Sequence, residues 1–113
     1  MKTENLCYYL IDPFERTITP VYYDGQLDSL YALLGCDLVT VAGCRRYDLF
    51  VDDEGLLKPG QKFFMHLDYP QPLAGKALVV GCDNAGITIP PDTTLEELEA
   101  RVMWVDGVIW EDE

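Results

Sequence analysis

Four consecutive apolar residues, Ala77, Leu78, Val79 and Val80, stand between Gly75 and Gly81. The run is too short for an independent helix, and two of its members are β-branched. It reads as a buried strand over residues 76–80 that ends in a turn at residues 82–86. A strand apolar at both parities needs partners for its backbone and cover for its side chains. The rest of the chain has to supply both.

Residues 6–11 and 17–23 are rich in aromatic and aliphatic side chains and flank Asp12-Pro13. They read as a β-hairpin with residues 12–16 as its connection. Pro20 has no backbone N–H to give a ladder, so the second strand is expected to lie at a sheet edge or to start after Pro20. Asp28 is placed to cap a short helix over residues 29–34, with Leu30, Leu33 and Leu34 on one face. Gly35 is placed to stop that helix in the left-handed conformation. Residues 38–42 and 47–51 read as strands, the second because Tyr47, Leu49 and Val51 alternate with more polar neighbours. A further strand is expected at residues 62–67, a surface loop at 69–73 and local pairing at 87–89.

Thr94 and Glu97 have capping-box spacing. Leu95, Leu98, Val102 and Val105 follow at helical intervals, so a second helix is expected from Thr94 to the Asp106-Gly107 turn. Glu97 and Arg101 are an i, i+4 pair on it. Val108, Ile109 and Trp110 are expected to add a last short strand before a frayed tail over residues 111–113. The expected architecture is one α+β domain: a mixed, mainly antiparallel sheet of about five or six short strands covered on one side by two helices.

A chain of 113 residues can bury a core without a metal or disulfide staple. No stretch has the pattern of a secretory signal, and no apolar run is long enough to cross a bilayer, so a cytoplasmic protein is expected. Cys7, Cys36, Cys44 and Cys82 are scattered, without a C-x-x-C pair, and His66 is the single histidine. This argues against a zinc ribbon or finger and for reduced, structural thiols, with no metal or cofactor. The net charge is −12. Residues 83–113 set Asp83, Asp92, Glu96, Glu97, Glu99, Asp106, Glu111, Asp112 and Glu113 against Arg101 alone. An acidic chain of this kind argues against direct nucleic-acid binding, leaving only a compact basic patch at Arg45, Arg46, Lys58 and Lys62 open to it. Its acidic surface can attract a basic protein or simply keep the chain soluble.

Patterns that carry chemistry are weak. Asp48, Asp52, Asp53 and Glu54 cluster without the spacing of a calcium loop, and a solvated hairpin end explains them. His66 and Asp68 share a strand face at i, i+2. A nucleophilic cysteine would have to use His66, and no neighbouring residue marks such a pair. Gly75, Gly81 and Gly86 match no phosphate-loop pattern and read as turn glycines. The adjacent pairs Tyr8-Tyr9 and Tyr22-Tyr23 must place one ring on each side of a sheet. Tyr9 and Tyr23, together with Glu96, Glu97 and Glu99, are therefore the candidate protein interface.

The ordered pieces YLIDPFERTITPV (residues 9–21), YDLFVDDEGL (residues 47–56) and LAGKALVVG (residues 73–81) resemble a family of small uncharacterised domains from phages, plasmids and bacteria. The resemblance spans roughly residues 5–105 and implies a mobile-element accessory protein, with no catalytic residues to carry over. The leading expectation is a non-enzymatic accessory or regulatory protein-binding domain with a basic partner. Self-association through an exposed strand edge is also open, with residues 108–110 as one such edge. Competing readings are an anti-defence inhibitor or partial DNA mimic, and a small hydrolase using Asp52, Asp53, Glu54 or His66, or else a nucleotide-binding protein.

Overall fold

The computed structural model describes residues 7–105. Strands β1 (Cys7–Asp12) and β2 (Thr17–Tyr22) form the expected hairpin, followed by helix α1 (Leu27–Leu34). Then come β3 (Val39–Gly43), β4 (Asp48–Asp52), a 3-10 turn at Gly55–Leu57, β5 (Phe63–His66) and β6 (Leu73–Ala74). The chain continues through β7 (Ala77–Cys82), β8 (Thr88–Ile89), α2 (Leu95–Arg101) and β9 (Val102–Val105). The expected strand at residues 108–110 and the tail lie outside the described residues.

The apolar run is the middle strand of a six-stranded sheet in the order β2-β1-β7-β4-β3, with β8 paired to the end of β7. A second, three-stranded sheet has the order β6-β5-β9. All of these pairings are antiparallel, so the parallel component of the expected mixed sheet is not found among the described residues. Pro20 lies opposite Tyr9 on the edge strand β2, where its missing N–H costs no ladder bond.

Alternation along β7 splits the core in two. Ala77 and Val79 join Ile11, Leu49, Val51, Phe64 and Leu98 on one face. Leu78 and Val80 join Tyr8, Tyr23, Leu30 and Leu34 on the other. All four residues of the run are at most 1% exposed. The helices therefore cover opposite faces: α1 lies over one side, while α2 and the small sheet lie over the other. The expectation that both helices share a side fails because β7 is apolar at both parities and needs a cover for each. Tyr8 and Tyr9 do point to opposite faces, and Tyr8 meets the Tyr23 ring edge-on at 5.3 Å between centroids.

Local chemistry accounts for most element ends. Gly35 takes φ 68°, and its N–H reaches the Tyr31 carbonyl to close α1. Asp28 is not the cap of that helix, because α1 starts at Leu27 with Gln26 before it. Asp24 instead accepts the Gln26 N–H and the Ser29 hydroxyl, each at 2.9 Å, and organises the entry. The Thr94–Glu97 capping box is present in both directions at 3.2 Å. Its helix is shorter than expected, however. The chain turns extended at Val102 (φ −106°, ψ 133°), and residues 102–105 pair with β5. Val-Met-Trp-Val is strand-favouring, and Phe63–His66 offers a ladder that a longer helix could not fill. In β7, a Cβ on Gly81 would meet the Pro90 carbonyl oxygen at 2.8 Å, so only glycine lets the 89–91 segment close on this strand.

Candidate functional site

His66 ends β5 and is 1% exposed, the one buried polar residue among those described. Its ring links the two sheets. Nδ1 accepts the Asp68 backbone N–H at 3.0 Å. That leaves the proton on Nε2, which donates to the Tyr47 hydroxyl oxygen at 2.8 Å. The Cys44 Sγ approaches Nδ1 at 3.7 Å as a second, weak donor. Cys44 and Tyr47 sit at the two ends of the β3–β4 turn, where the Cys44 N–H bonds the Tyr47 carbonyl at 3.0 Å.

The segment after His66 is held from both sides. The Tyr69 N–H donates to the His66 carbonyl and the Leu67 N–H to the Arg101 carbonyl, each at 3.0 Å. The Asp68 carboxylate lies 3.4 Å from Arg101 Nη1 and accepts the Arg45 N–H at 3.4 Å. His66 and Asp68 do meet, as the i, i+2 spacing suggested, but through the backbone N–H of Asp68 rather than its carboxylate. Cys44 stands 22 residues from His66 in sequence, so no local pattern announces their contact.

Electrostatics keep this cluster neutral. Burial, with Asp68 and Asp48 nearby, pushes the Cys44 thiol up to about 11. Burial first, then Cys44, pushes the Tyr47 hydroxyl up to about 12. Burial lowers His66 below its usual 6.5, with Asp68 pulling it back up and Arg101 pressing it further down. A thiol that stays protonated beside a neutral imidazole is the opposite of an activated nucleophile. The donor atoms of Cys44, His66 and Asp68 lie within 4.8 Å of one another, a spacing that a metal ion could span. Binding there would require Nδ1 to give up the Asp68 N–H and Asp68 to leave Arg101. Every buried side-chain polar atom among the described residues has a hydrogen-bond partner.

The other sequence candidates are dispersed. Tyr9 is half-buried on the α2 side, whereas Tyr23 is 5% exposed on the α1 side and belongs to the core. They do not form a common surface, because the segment after β2 folds back under α1. Glu96, Glu97 and Glu99 are exposed on α2. Glu97 is engaged by Thr93 and Thr94 and lies 3.9 Å from Arg46, contacts that hold its carboxyl below the usual range. Glu96 and Glu99 form no ion pair among the described residues. The acidic group of β4 and the turn after it is not uniformly solvated. The Asp52 side chain is 7% exposed and pairs with Lys58 at 2.6 Å, while Asp53 and Glu54 face solvent.

Of the clefts that border the main sheet, two bring together several elements. One, of about 400 Å³, lies between β2 and the α2–β9 segment and is lined by Arg16, Thr17, Ile18, Thr19, Glu99, Val102 and Trp104. The other, of about 350 Å³, gathers Asp12 and Phe14, then Asp52, then Gly75 and Lys76, with Lys58 and Gln61. Asp12, Phe14, Asp52, Gly75 and Lys76 come from the three sequence pieces behind the family resemblance, whereas Lys58 and Gln61 lie between the second and third. They meet because β1, β7 and β4 are neighbours and Asp12, Lys76 and Asp52 mark the same end of each. No described helix is long and apolar enough to cross a membrane.

The chain is 38% identical over 96 residues to an uncharacterised protein, y4iR, of Sinorhizobium fredii (strain NBRC 101917 / NGR234), covering 79% of this chain. The aligned part spans 57% of that relative's length. No solved structure matches the chain. Residues 6–103 match the family model described as a domain of unknown function, DUF3846, and the chain belongs to that family.

Proposed function

We propose that this chain is a non-enzymatic accessory domain that binds a basic protein segment along the cleft between β2 and α2. The observation that carries this reading is the free acidic face of α2 beside that cleft. Glu99 lines the cleft, and Glu96 lies one turn earlier on the same helix; both are exposed and unpaired among the described residues. Trp104 contributes a partly exposed aromatic wall, and Thr17 and Thr19 of the edge strand add hydroxyl groups. An aromatic anchor with a charged rim is a common composition for a protein-recognition surface. The closed, neutral state of Cys44 and His66 counts against thiol chemistry as the main activity.

The test is affinity capture with the tagged full chain from its native host, run beside a Glu96→Lys, Glu99→Lys variant. Glu97 is left unchanged because it closes the helix cap. A basic partner retained by the wild type and lost by the variant is the expected result. A partner held equally by both, or one without a basic segment, would sink the reading.

A further inference from the structure

We infer that two copies of this chain join through the free edge of β3, in antiparallel register about a two-fold axis at Val41. Among the described residues β3 is the terminal strand of the six-stranded sheet, and Val39–Gly43 contains neither proline nor a charged residue. The opposite edge, β2, carries Pro20. Natural sheets usually blunt a strand such as β3 with charge or proline unless the edge is used.

The ladder identifies which groups are free. The Asp53 N–H bonds the Leu38 carbonyl at 2.9 Å, and the Cys44 N–H bonds the Tyr47 carbonyl at 3.0 Å. In the β3–β4 register, even-numbered residues of β3 therefore point their backbone groups at β4. Val39, Val41 and Gly43 point theirs outward. The Arg45 N–H is taken by Asp68, which bounds the free edge at Gly43.

A two-fold pairing that uses all three outward residues has one register: Val41 opposite Val41, and Val39 opposite Gly43. Val41 is 53% exposed in the single chain, and this pairing covers it. Gly43 offers no side chain to obstruct Val39. Continued past the ladder at each end, the same register brings Asp37 toward Arg45 of the other copy, both in the bends that flank β3. Both are exposed, and neither forms a side-chain ion pair among the described residues. Charge complementarity thus selects a second copy as the occupant, although the whole chain carries −12. The inference is independent of the basic-partner reading, since the β2–α2 cleft lies at the other edge of the sheet. A dimer built this way carries one such cleft at each far end.

Sedimentation and light scattering of the full chain, over a concentration series, test the idea. The wild type is expected to dimerise. Val41→Lys sets like charges face to face at an exposed position and is expected to leave a folded monomer. Asp37→Arg or Arg45→Asp alone should weaken the dimer about fivefold or more, and the two together should restore it. Circular dichroism keeps loss of folding separate from loss of pairing. A wild type that stays monomeric at every concentration overturns the inference. So does a dimer indifferent to Val41→Lys, or an exchange of Asp37 and Arg45 that fails to rescue.

Discussion

The Tyr47 hydroxyl and His66 Nε2 meet at 2.8 Å, and this bond joins the start of β4 to the end of β5 across the two sheets. Both residues are buried, at 6% and 1% exposure. Tyr47→Phe keeps the ring and leaves Nε2–H without its acceptor. The expected loss is about 1–3 kcal/mol, measured by urea unfolding. A loss below about 0.5 kcal/mol would mean that water or another group takes the bond over.

The buried imidazole makes stability depend on pH. His66 binds its proton less readily in the folded chain than in the unfolded one, whose value is near 6.5. Above that pH both states are neutral, and the stabilisation is fully present. As pH falls below it, the unfolded chain gains the proton first, so stability drops until the lower folded value is passed. Unfolding free energy measured at a series of pH values should fall more steeply in the wild type than in His66→Gln. Parallel profiles would show that His66 does not carry this linkage.

The Cys44 thiol, raised to about 11, should resist alkylation near neutral pH. Cys82 is exposed and should be modified first. Peptide mapping after a timed iodoacetamide reaction reads the order directly. Rapid labelling of Cys44 in folded protein would indicate a thiolate there and revive the nucleophile reading.

Excess zinc or a chelator should leave the melting temperature of the full chain unchanged, because the Nδ1 lone pair of His66 already serves the Asp68 N–H. A clear rise with zinc that disappears in Cys44→Ser would show that Cys44, His66 and Asp68 rearrange around the ion.

Gly81→Ala places a methyl group 2.8 Å from the Pro90 carbonyl oxygen. Backbone on both sides has to shift, and the expected cost is about 1–3 kcal/mol. A neutral outcome by thermal or urea unfolding would mean that the β7–β8 connection is looser than it looks.

Much of this fold is legible in the chain because its signals are local. Ala77–Val80 announces a buried strand, Pro20 an edge, Gly35 a helix stop, and Thr94 with Glu97 a helix start. The second half of that last element is a different case. Leu98, Val102 and Val105 fit a helical face, while Val102 and Trp104 fit a strand face equally well. Only pairing with Phe63–His66, far away in sequence, decides between them. The polar cluster was hidden for the same reason. His66 and Asp68 stand out at i, i+2, but Cys44 and Tyr47 reach them only after two sheets have packed. Tyr23 was misleading in its own way, since the bend after β2 turns an apparent surface ring into core.

The central place of β7 also dictates an order of events as the chain folds. The hairpins β1–β2 and β3–β4 can form from nearby residues, yet neither borders the other in the finished sheet. Both have an inner edge that stays open until residues 77–82 arrive and slide between them. Assembly is thus governed by long-range closure, which is slow and exposes sticky edges in the interval. During synthesis, the main sheet has no route to completion until the chain has left the ribosome through Cys82, some thirty residues after β4 ends.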